Sequence, residues 1–288
     1  MPSQPIMPTV ALVLETNNLR GGDAPRVAES LARLLAHLRA QSFALEGLDQ
    51  IVVTHDGLSE GQRRTLRLAA ARSLTFVRLP PGTDYYAAKN LGFAATTAEV
   101  VVFGDSDCWP DRQWLSALVA PFGDPGVQVV AGRTSYRADV LGAALTSIDF
   151  MYFPSAHGPE CRRNFYANNV AFRREIFERR RFPVHERIYR GPCQLLGMQL
   201  HEEGVGVRYE AQAHTVHRLP DDMAELVRLR LLRGQDSAEL TPRLVEHVLP
   251  SAPWLGRMGP LSPALVLLTR LGFSLRALGH LPGPALRG

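Results

Sequence analysis

The sequence predicts an α/β fold in which helices flank a mostly parallel sheet. Short apolar runs typical of buried strands alternate with segments whose apolar residues recur every three or four positions, as in amphipathic helices. One strand and its helix take about 25 residues, a length typical of right-handed crossover connections. The 288 residues, 45% of them hydrophobic and 21% charged, are enough for a globular protein with its own core.

The first half of the chain contains four predicted strand–helix units. Each predicted strand is an apolar run that ends at polar or glycine residues, and each predicted helix has one apolar face. The predicted strands are 9–14, 50–54, 75–79 and 100–103. The predicted helices are 26–41, 60–71, 85–96 and 114–122.

The pattern after residue 126 is less regular. The predicted strands are 127–131, 165–172, 205–209 and its continuation 211–217, and the predicted helices are 174–180, 194–203 and 223–233. The last part of the chain is rich in proline and glycine. We therefore predict one domain at 1–240 and a C-terminal helical extension at 241–288.

Composition and charge exclude several classes of protein. The net charge of +4 comes from arginine, because Lys89 is the only lysine, and no basic run is interleaved with aromatic residues. We therefore expect no nucleic-acid partner. The three cysteines, Cys108, Cys161 and Cys193, have no metal-ligand spacing and are odd in number. With no visible signal peptide or membrane-spanning run, this pattern predicts a cytoplasmic protein.

The stretch 99–110 combines a buried strand with two carboxylates. Residues 100–103 are all apolar, and Asp105 and Asp107 follow where this strand ends. Ligands of open α/β sheets bind at the carboxyl ends of the strands. Hard carboxylate oxygens there suit Mg²⁺ or Mn²⁺ that also contacts substrate phosphates. The alternative is a turn in which the Asp side chains cap backbone groups.

Five motifs, in order across about residues 9–235, make the chain resemble the family 2 glycosyltransferases of GT-A fold. They are the first strand and loop at 10–18, the second strand with His55-Asp56-Gly57, Ala-Ala-Lys-Asn-Leu-Gly at 87–92, Phe-Gly-Asp-Ser-Asp at 103–107, and Asn-Asn-Val-Ala-Phe-Arg-Arg at 168–174. The resemblance implies a Rossmann-like sheet, a nucleotide-diphosphate sugar as donor, and inversion at the anomeric carbon of that sugar.

The same resemblance implies the residues of the donor site. They are Thr16 and Asp56 beside the base, Lys89 and Asn90 at the base or diphosphate, Asp105, and the pair Arg230 and Arg233, which resembles a segment that closes over the donor. A bidentate guanidinium suits a diphosphate. The alternatives are a turn residue for Asp56, a solvated helix charge for Lys89, and an exposed basic helix face for the two arginines.

The resemblance also implies a metal site made of Asp105, Asp107 and His217, which would hold Mg²⁺ or Mn²⁺. A cation there stabilises the negative charge that grows on the departing diphosphate. His214 lies close by in the sequence. The alternative for either histidine is a structural role.

On the acceptor side the resemblance implies Asn168, Asn169 and Cys193, and it is here that the sequence departs from the family. Pro192-Cys193 stands where relatives have a Glu-Asp pair whose Asp is the general base. A positioned base contributes roughly 10²- to 10⁴-fold in rate. A cysteine is a poor base at neutral pH unless its pKa is depressed.

Three explanations for the missing base stay open. Glu186 and His185 could take over this role, with His157 or Glu160 next in line. The acceptor could be a thiol or an amine, which needs little help with deprotonation. The protein could also be a catalytically silent partner that binds a nucleotide sugar.

We therefore predict a metal-dependent inverting glycosyltransferase with an unidentified acceptor. A nucleotidyltransferase is the third class considered, but residues 15–25 lack the glycine-rich triphosphate loop that it would need. The apolar stretch 260–278 is too short and charged to span a membrane. Two interpretations stay open for it: peripheral membrane contact, or packing on the domain or on a second subunit.

Overall fold

A ten-stranded sheet organises the part of the chain that the computed structural model describes, residues 7–16, 24–184, 188 and 190–248. Its strands are β1 Val10–Glu15, β2 Gln50–His55, β3 Thr75–Arg78, β4 Val100–Asp105, β5 Cys108–Pro110, β6 Val129–Ser135, β7 Pro154–Ser155, β8 Gly158–Arg162, β9 Asn169–Arg173 and β10 Val207–His217. The helices are α1 Ala24–Arg39, α2 Glu60–Ala70, α3 Tyr85–Ala94, α4 Trp114–Val119, α5 Val140–Asp149, α6 Arg174–Arg179, α7 Pro192–Glu202 and α8 Met223–Val248.

The strand order is β3-β2-β1-β4-β9-β6-β10-β8-β7, and β5 pairs with β10 beside this row. Strands β3, β2, β1 and β4 are parallel to one another, as are β6 and β10. Strand β9 runs antiparallel between these two groups. The predicted α/β fold, with a mostly parallel central sheet flanked by helices, is confirmed.

Hydrophobic cores cover both faces of the central strands. On one face Leu12 packs in a cluster with Leu31 of α1, and on the other Val13 packs in a cluster with Phe93 of α3. Every residue of β1 and β4 is buried. Burial on both faces explains why these strands are continuous apolar runs rather than alternating ones.

Helix α3 is held close to the sheet and presents two side chains to the end of β4. The Asp84 carboxylate caps the helix by accepting hydrogen bonds from the backbone of Tyr86 and Ala87. A Cβ atom on Gly92 would lie 2.5 Å from Cγ1 of Val13, so glycine permits the close approach of α3 to β1. Tyr85 and Lys89, four positions apart, then share one face of the helix.

The structure departs from the predicted elements in several places. The sequence does not predict strands β5, β7 and β8, because each is short, or helix α5, because its apolar residues show no clear helical period. The predicted helix 114–122 changes at Ala120–Gly123 into a 3₁₀ turn that contains Pro121. The two predicted segments 205–209 and 211–217 form the one strand β10, whose register shifts between Glu210 and His214.

Helix α8 extends to Val248, well beyond the predicted end at residue 233. The boundary predicted between residues 240 and 241 therefore falls inside a helix. The apolar stretch 260–278 lies outside the described residues, so the predicted division into domain and extension stays a prediction. Within the described part of the chain, no helix has the length and apolar character needed to cross a bilayer.

Asn169, the first residue of β9, joins three elements through its buried side-chain amide. Its Nδ2 donates hydrogen bonds to the carbonyl oxygens of Arg133 and Ala213, both at 2.9 Å. Its Oδ1 accepts one from Nε1 of Trp114 at 2.8 Å. The amide thus bridges β6, β10 and α4. These contacts support a structural role, and the acceptor-side role of Asn169 stays a prediction.

We expect Asn169→Ala to lower the free energy of unfolding by about 2 to 4 kcal/mol, because it leaves buried polar groups unpaired. Urea unfolding followed by circular dichroism measures the change. Ser147→Ala, on the exposed side of α5, is the control and should change it by less than about 0.5 kcal/mol. Equal unfolding midpoints for Asn169→Ala and the wild type would contradict the bridging role.

Candidate functional site

The carboxyl ends of β2, β1 and β4 lie side by side and bring together several residues that the sequence singled out. Thr16 is buried, and its Oγ1 donates to the carbonyl oxygen of Thr54 at 2.6 Å. Asp56 is exposed just beyond β2. Asp105 ends β4 and is buried. Burial lowers the pKa of His55, which therefore carries no charge at neutral pH beside this edge.

Lys89 and Asp105 form a fully buried ion pair. Lys89 Nζ lies 2.5 Å from Oδ1 of Asp105 and 3.2 Å from the carbonyl oxygen of Gly104. The ammonium also lies 4.8 Å from the ring centroid of Tyr85 and 5.7 Å from that of Phe103, within cation–π range. The Lys89 side chain is 0% exposed, so the alternative of a solvated helix charge is wrong.

The second oxygen of Asp105 accepts a hydrogen bond from the hydroxyl of Tyr85 at 2.7 Å. Burial, followed by the charge of Asp105, raises the pKa of Tyr85 well above its usual value, so the phenol stays a neutral donor. Both carboxylate oxygens of Asp105 therefore have partners on α3. The predicted role of Asp105 as a metal ligand and donor contact stays a prediction.

Asp107 faces a different set of partners, Cys108 and His217. The distance from Oδ2 of Asp107 to Nε2 of His217 is 3.7 Å, and that from its Oδ1 to Sγ of Cys108 is 3.8 Å. All three side chains are buried. Strand β5 pairs antiparallel with β10 so that Cys108 lies opposite His217, which puts the two side chains on one face of the sheet.

The imidazole of His217 is oriented as in a metal ligand. Its Nδ1 lies 2.8 Å from the carbonyl oxygen of Arg218, which can only accept, so Nδ1 carries a hydrogen. In the neutral ring Nε2 then has a free lone pair on the side of Asp107. Metal-binding histidines are commonly held by such a bond from the other nitrogen to a carbonyl oxygen.

A divalent cation fits this group. Two ligand atoms on a tetrahedral ion lie roughly 3.5 Å apart, close to the two separations at Asp107. The ligand atoms of Asp107, Cys108 and His217 lie within 4.8 Å of one another, and no other group of three or more such side chains in the described residues comes as close. Burial, followed by the charge of Asp107, raises the pKa of the Cys108 thiol.

The two histidines of this strand have different surroundings. His214 Nδ1 lies 2.6 Å from Oδ2 of Asp111, and its Nε2 lies 2.8 Å from Oγ of Ser135. Both ring nitrogens of His214 thus have side-chain partners, one just after β5 and one at the end of β6, as expected for a structural residue. His217, whose Nε2 is turned toward Asp107, is the histidine of the two that is suited to bind a metal ion.

On the acceptor side, Cys193 is a buried thiol in the first turn of α7. Its sulfur accepts a hydrogen bond from the hydroxyl of Tyr86 at 3.3 Å, and that hydroxyl also accepts one from the backbone of Gly191. Burial raises the pKa of Cys193. A thiol with a raised pKa is not a general base at neutral pH. Its place on the acceptor side stays a prediction.

The residues considered as substitutes for the missing base are not all described. Glu186 and His185 lie outside the described residues, so their predicted roles stay predictions. His157 and Glu160 lie on the β7–β8 hairpin, beyond β10 at the edge of the sheet.

Asn90, a predicted donor-site residue, donates through Nδ2 to the carbonyl oxygen of Phe182 at 2.9 Å. Its role at the donor stays a prediction.

Arg230 and Arg233 of α8 both bind the carboxylate of Asp149 at the end of α5. The hydroxyl of Tyr136 also donates to this carboxylate, at 2.9 Å. The alternative of an exposed basic face is wrong, since the side chains of Arg230 and Arg233 are 5% and 13% exposed. Their predicted role at the donor stays a prediction.

A cavity of about 580 Å³ opens beside His217. Its walls include the aromatic ring of Trp109 and the side chains of Arg33, Arg137 and Leu226. The sequence did not indicate Trp109, Arg137 or Arg33 as candidates, since they lie on β5, on the segment between β6 and α5, and on α1, and only the tertiary structure brings these together. It also missed Tyr85 and Cys108, although each has a local signal: Tyr85 lies one helical turn before Lys89, and Cys108 directly follows Asp107.

The sequence is similar to a protein family and to a curated protein. A family model described as glycosyl transferase family 2 matches residues 26–181, more than half of the chain. The pre-mycofactocin glycosyltransferase of Mycobacterium tuberculosis is 26% identical over 293 aligned residues that cover 100% of this chain. The chain spans 58% of the length of that relative.

Two solved structures share the fold. A mannosyltransferase from Pyrobaculum calidifontis, in complex with GDP-Man and Mn²⁺, has a TM-score of 0.61 and 21% identity, covering 97% of this chain and 85% of its own. TarS 1–349 of S. aureus, in complex with UDP, has a TM-score of 0.50 and 14% identity, covering 79% of this chain and 65% of its own. At these identities the likeness concerns the fold.

We expect Lys89→Met to lower the free energy of unfolding by about 3 kcal/mol, because it leaves the buried carboxylate of Asp105 without its cation. The double variant Lys89→Met/Asp105→Asn should recover part of this loss. Urea unfolding of both single variants and the double variant measures the coupling. Arg64→Met, at an exposed position of α2, is the control. Additive effects of the two substitutions would contradict a direct ion pair.

The ion pairs of Asp149 with Arg230 and Arg233 lead us to expect a specific dependence of the free energy of unfolding on pH. Burial by itself would raise the pKa of this carboxyl, but Arg233 and Arg230 outweigh it and hold the pKa well below its usual range. The unfolded chain, with an Asp pKa of about 3.9, takes up the proton first as the pH falls. The stability that Asp149 contributes is therefore complete above about pH 5 and is lost as the pH falls toward the folded-state pKa.

We expect Asp149→Asn to be less stable than the wild type at pH 7, and the difference to narrow between about pH 4 and pH 2. Urea midpoints at several pH values test this. Asp124→Asn, in an exposed turn, is the matched control. A difference that stays constant over this range would show that the two arginines do not hold Asp149 ionised.

Proposed function

Since the chain belongs to glycosyl transferase family 2, we propose that it transfers a sugar from a nucleotide-diphosphate sugar to an acceptor, with inversion at the anomeric carbon and with a divalent cation. The observation that carries this proposal is the arrangement of Asp107 and His217 beyond the end of β4. A buried carboxylate and an imidazole lone pair that face each other at 3.7 Å favour a cation between them.

We propose Asp107 and His217 as ligands of Mg²⁺ or Mn²⁺. When bound, the cation supplies positive charge that stabilises the departing nucleoside diphosphate. The fixed hydrogen bond from His217 Nδ1 to Arg218 keeps the imidazole in the ligating tautomer. The complex of the Pyrobaculum mannosyltransferase with GDP-Man and Mn²⁺ supports a divalent cation here.

At the nucleotide end, we propose that Asp56 and Thr16 contact the base, because they stand at the carboxyl ends of neighbouring strands. Lys89 is fully buried against Asp105. We therefore propose that Lys89 acts on the donor through Asp105, by fixing the position and orientation of that carboxylate. Asn90, Arg230 and Arg233 remain candidates for the donor site from the family resemblance.

The state of Cys193 bears on how the acceptor is activated. Its thiol has a raised pKa and is bound by Tyr86, so it does not replace the general base of the family. For a hydroxyl acceptor we propose Glu186 as the substitute base, with His185 as the second candidate. A thiol or amine acceptor would not need either residue.

Contact of residues 260–278 with a membrane or a second subunit remains a proposal from the sequence.

Turnover of nucleotide sugars tests the proposed function directly. The purified chain is incubated with Mn²⁺ and a panel of UDP-, GDP-, ADP- and TDP-sugars, with hydroxyl, thiol and amine acceptors, and the free nucleoside diphosphate is measured. We expect release from at least one donor. Asp107→Asn should lower kcat/KM by on the order of 10³-fold, because it removes a carboxylate that holds the cation.

Asp124→Asn, which lies in an exposed turn away from this site, should turn over the same donor at the wild-type rate. If a donor binds but no acceptor leads to release, the protein is a silent nucleotide-sugar binder instead. Release of pyrophosphate rather than nucleoside diphosphate would indicate nucleotidyl transfer. Equal rates for Asp107→Asn and the wild type would contradict the proposed cation site.

A further inference from the structure

We propose that Cys108 gives its sulfur to the divalent cation as a third protein ligand, beside Asp107 and His217, and that this site therefore prefers thiophilic divalent ions over Mg²⁺. The proposal rests on the cation site of the proposed function and deepens it. The group is asymmetric in its chemistry, since it offers one carboxylate, one imidazole and one sulfur within 4.8 Å.

Strand pairing directs the sulfur toward the site. Cys108 and His217 are opposite each other in the antiparallel pair of β5 and β10, so both side chains leave the sheet on the same face. Sγ of Cys108 lies 3.8 Å from Oδ1 of Asp107, almost the same separation as that between Oδ2 and Nε2 of His217. One oxygen of Asp107 thus faces the sulfur and the other faces the imidazole nitrogen, and the three ligand groups surround a common point.

The surroundings of the sulfur suit a metal-bound thiolate. Nδ2 of Asn168 donates a hydrogen bond to Sγ of Cys108 at 3.3 Å. The amide is itself oriented by Thr134, whose hydroxyl donates to Oδ1 of Asn168 at 3.2 Å. Hydrogen bonds donated to a ligating sulfur stabilise its negative charge and fix its direction. Asn168, which the family resemblance places on the acceptor side, would therefore orient a ligand of the cation.

The imidazole of His217, the proposed ligand that faces Cys108 across the strand pair, is also held in a fixed orientation. The ring of His217 packs against Tyr136 and Phe150, with centroid separations of 5.5 Å and 5.8 Å. Its Nδ1 is held by the carbonyl oxygen of Arg218. A cation entering between fixed ligands meets little cost of reorganisation.

The ligand set determines which ions bind well. Thiolate and imidazole favour Mn²⁺, Co²⁺ and Zn²⁺ in increasing order, whereas Mg²⁺ prefers an octahedron of oxygens. Three protein ligands leave positions open for oxygens of a diphosphate. As the metal–sulfur bond forms, the S–H bond of Cys108 is broken and its proton leaves to solvent.

Titration of the full chain with Co²⁺ alone tests the proposal without any substrate. A thiolate ligand adds a sulfur-to-cobalt charge-transfer band in the near ultraviolet to the visible d–d bands. We expect this band in the wild type and its loss in Cys108→Ser. Cys108→Ser should bind Co²⁺ roughly 10- to 100-fold more weakly, with a change of less than about 3-fold for Mg²⁺.

The double variant Cys161→Ser/Cys193→Ser provides the matched control, because its sole cysteine is then Cys108. It should keep the band, and this result does not depend on whether Cys108→Ser folds. Co²⁺ bound to the wild type without the band, and lost in Asp107→Asn, would overturn the role of Cys108 and leave the cation site standing. Absence of any Co²⁺ binding to the wild type would overturn both.

Discussion

The buried ion pair between Lys89 and Asp105 is the interaction on which the rest of the site depends. A charge without a partner at this depth would cost several kcal/mol, so the pair must be complete for the end of β4 to be buried at all. Tyr85 and the carbonyl of Gly104 satisfy the remaining polar atoms. The pair ties α3 to the central strand and turns the Asp105 carboxylate toward that helix.

Because Asp105 faces α3, the two carboxylates of the Asp-Ser-Asp sequence have different partners. Asp107 lies in the turn before β5 and faces the end of β10, where it meets His217. The proposed cation site is thus built by the return of the chain from β4 to β5. A sheet with only the parallel strands of its first half would not bring Cys108 opposite His217.

Tyr136 connects the proposed cation site with the attachment of α8. Its ring packs on the imidazole of His217, and its hydroxyl donates to the carboxylate of Asp149. Asp149 in turn binds Arg230 and Arg233, and its charge helps to raise the pKa of Arg233 against the opposite effect of burial. The position of the long C-terminal helix and that of a proposed metal ligand therefore share one aromatic residue.

The sequence by itself determined the central strands, most of their helices, the place of the acidic residues at the end of β4, and the family. These features are local, because apolar period and turn residues report which face of an element is buried. Tertiary structure alone decided the partners: Lys89 with Asp105, Asp149 with the two arginines, and Cys108 with His217. A residue's partner depends on which strands become neighbours, and that is set by long-range pairing, on which local periodicity carries no information.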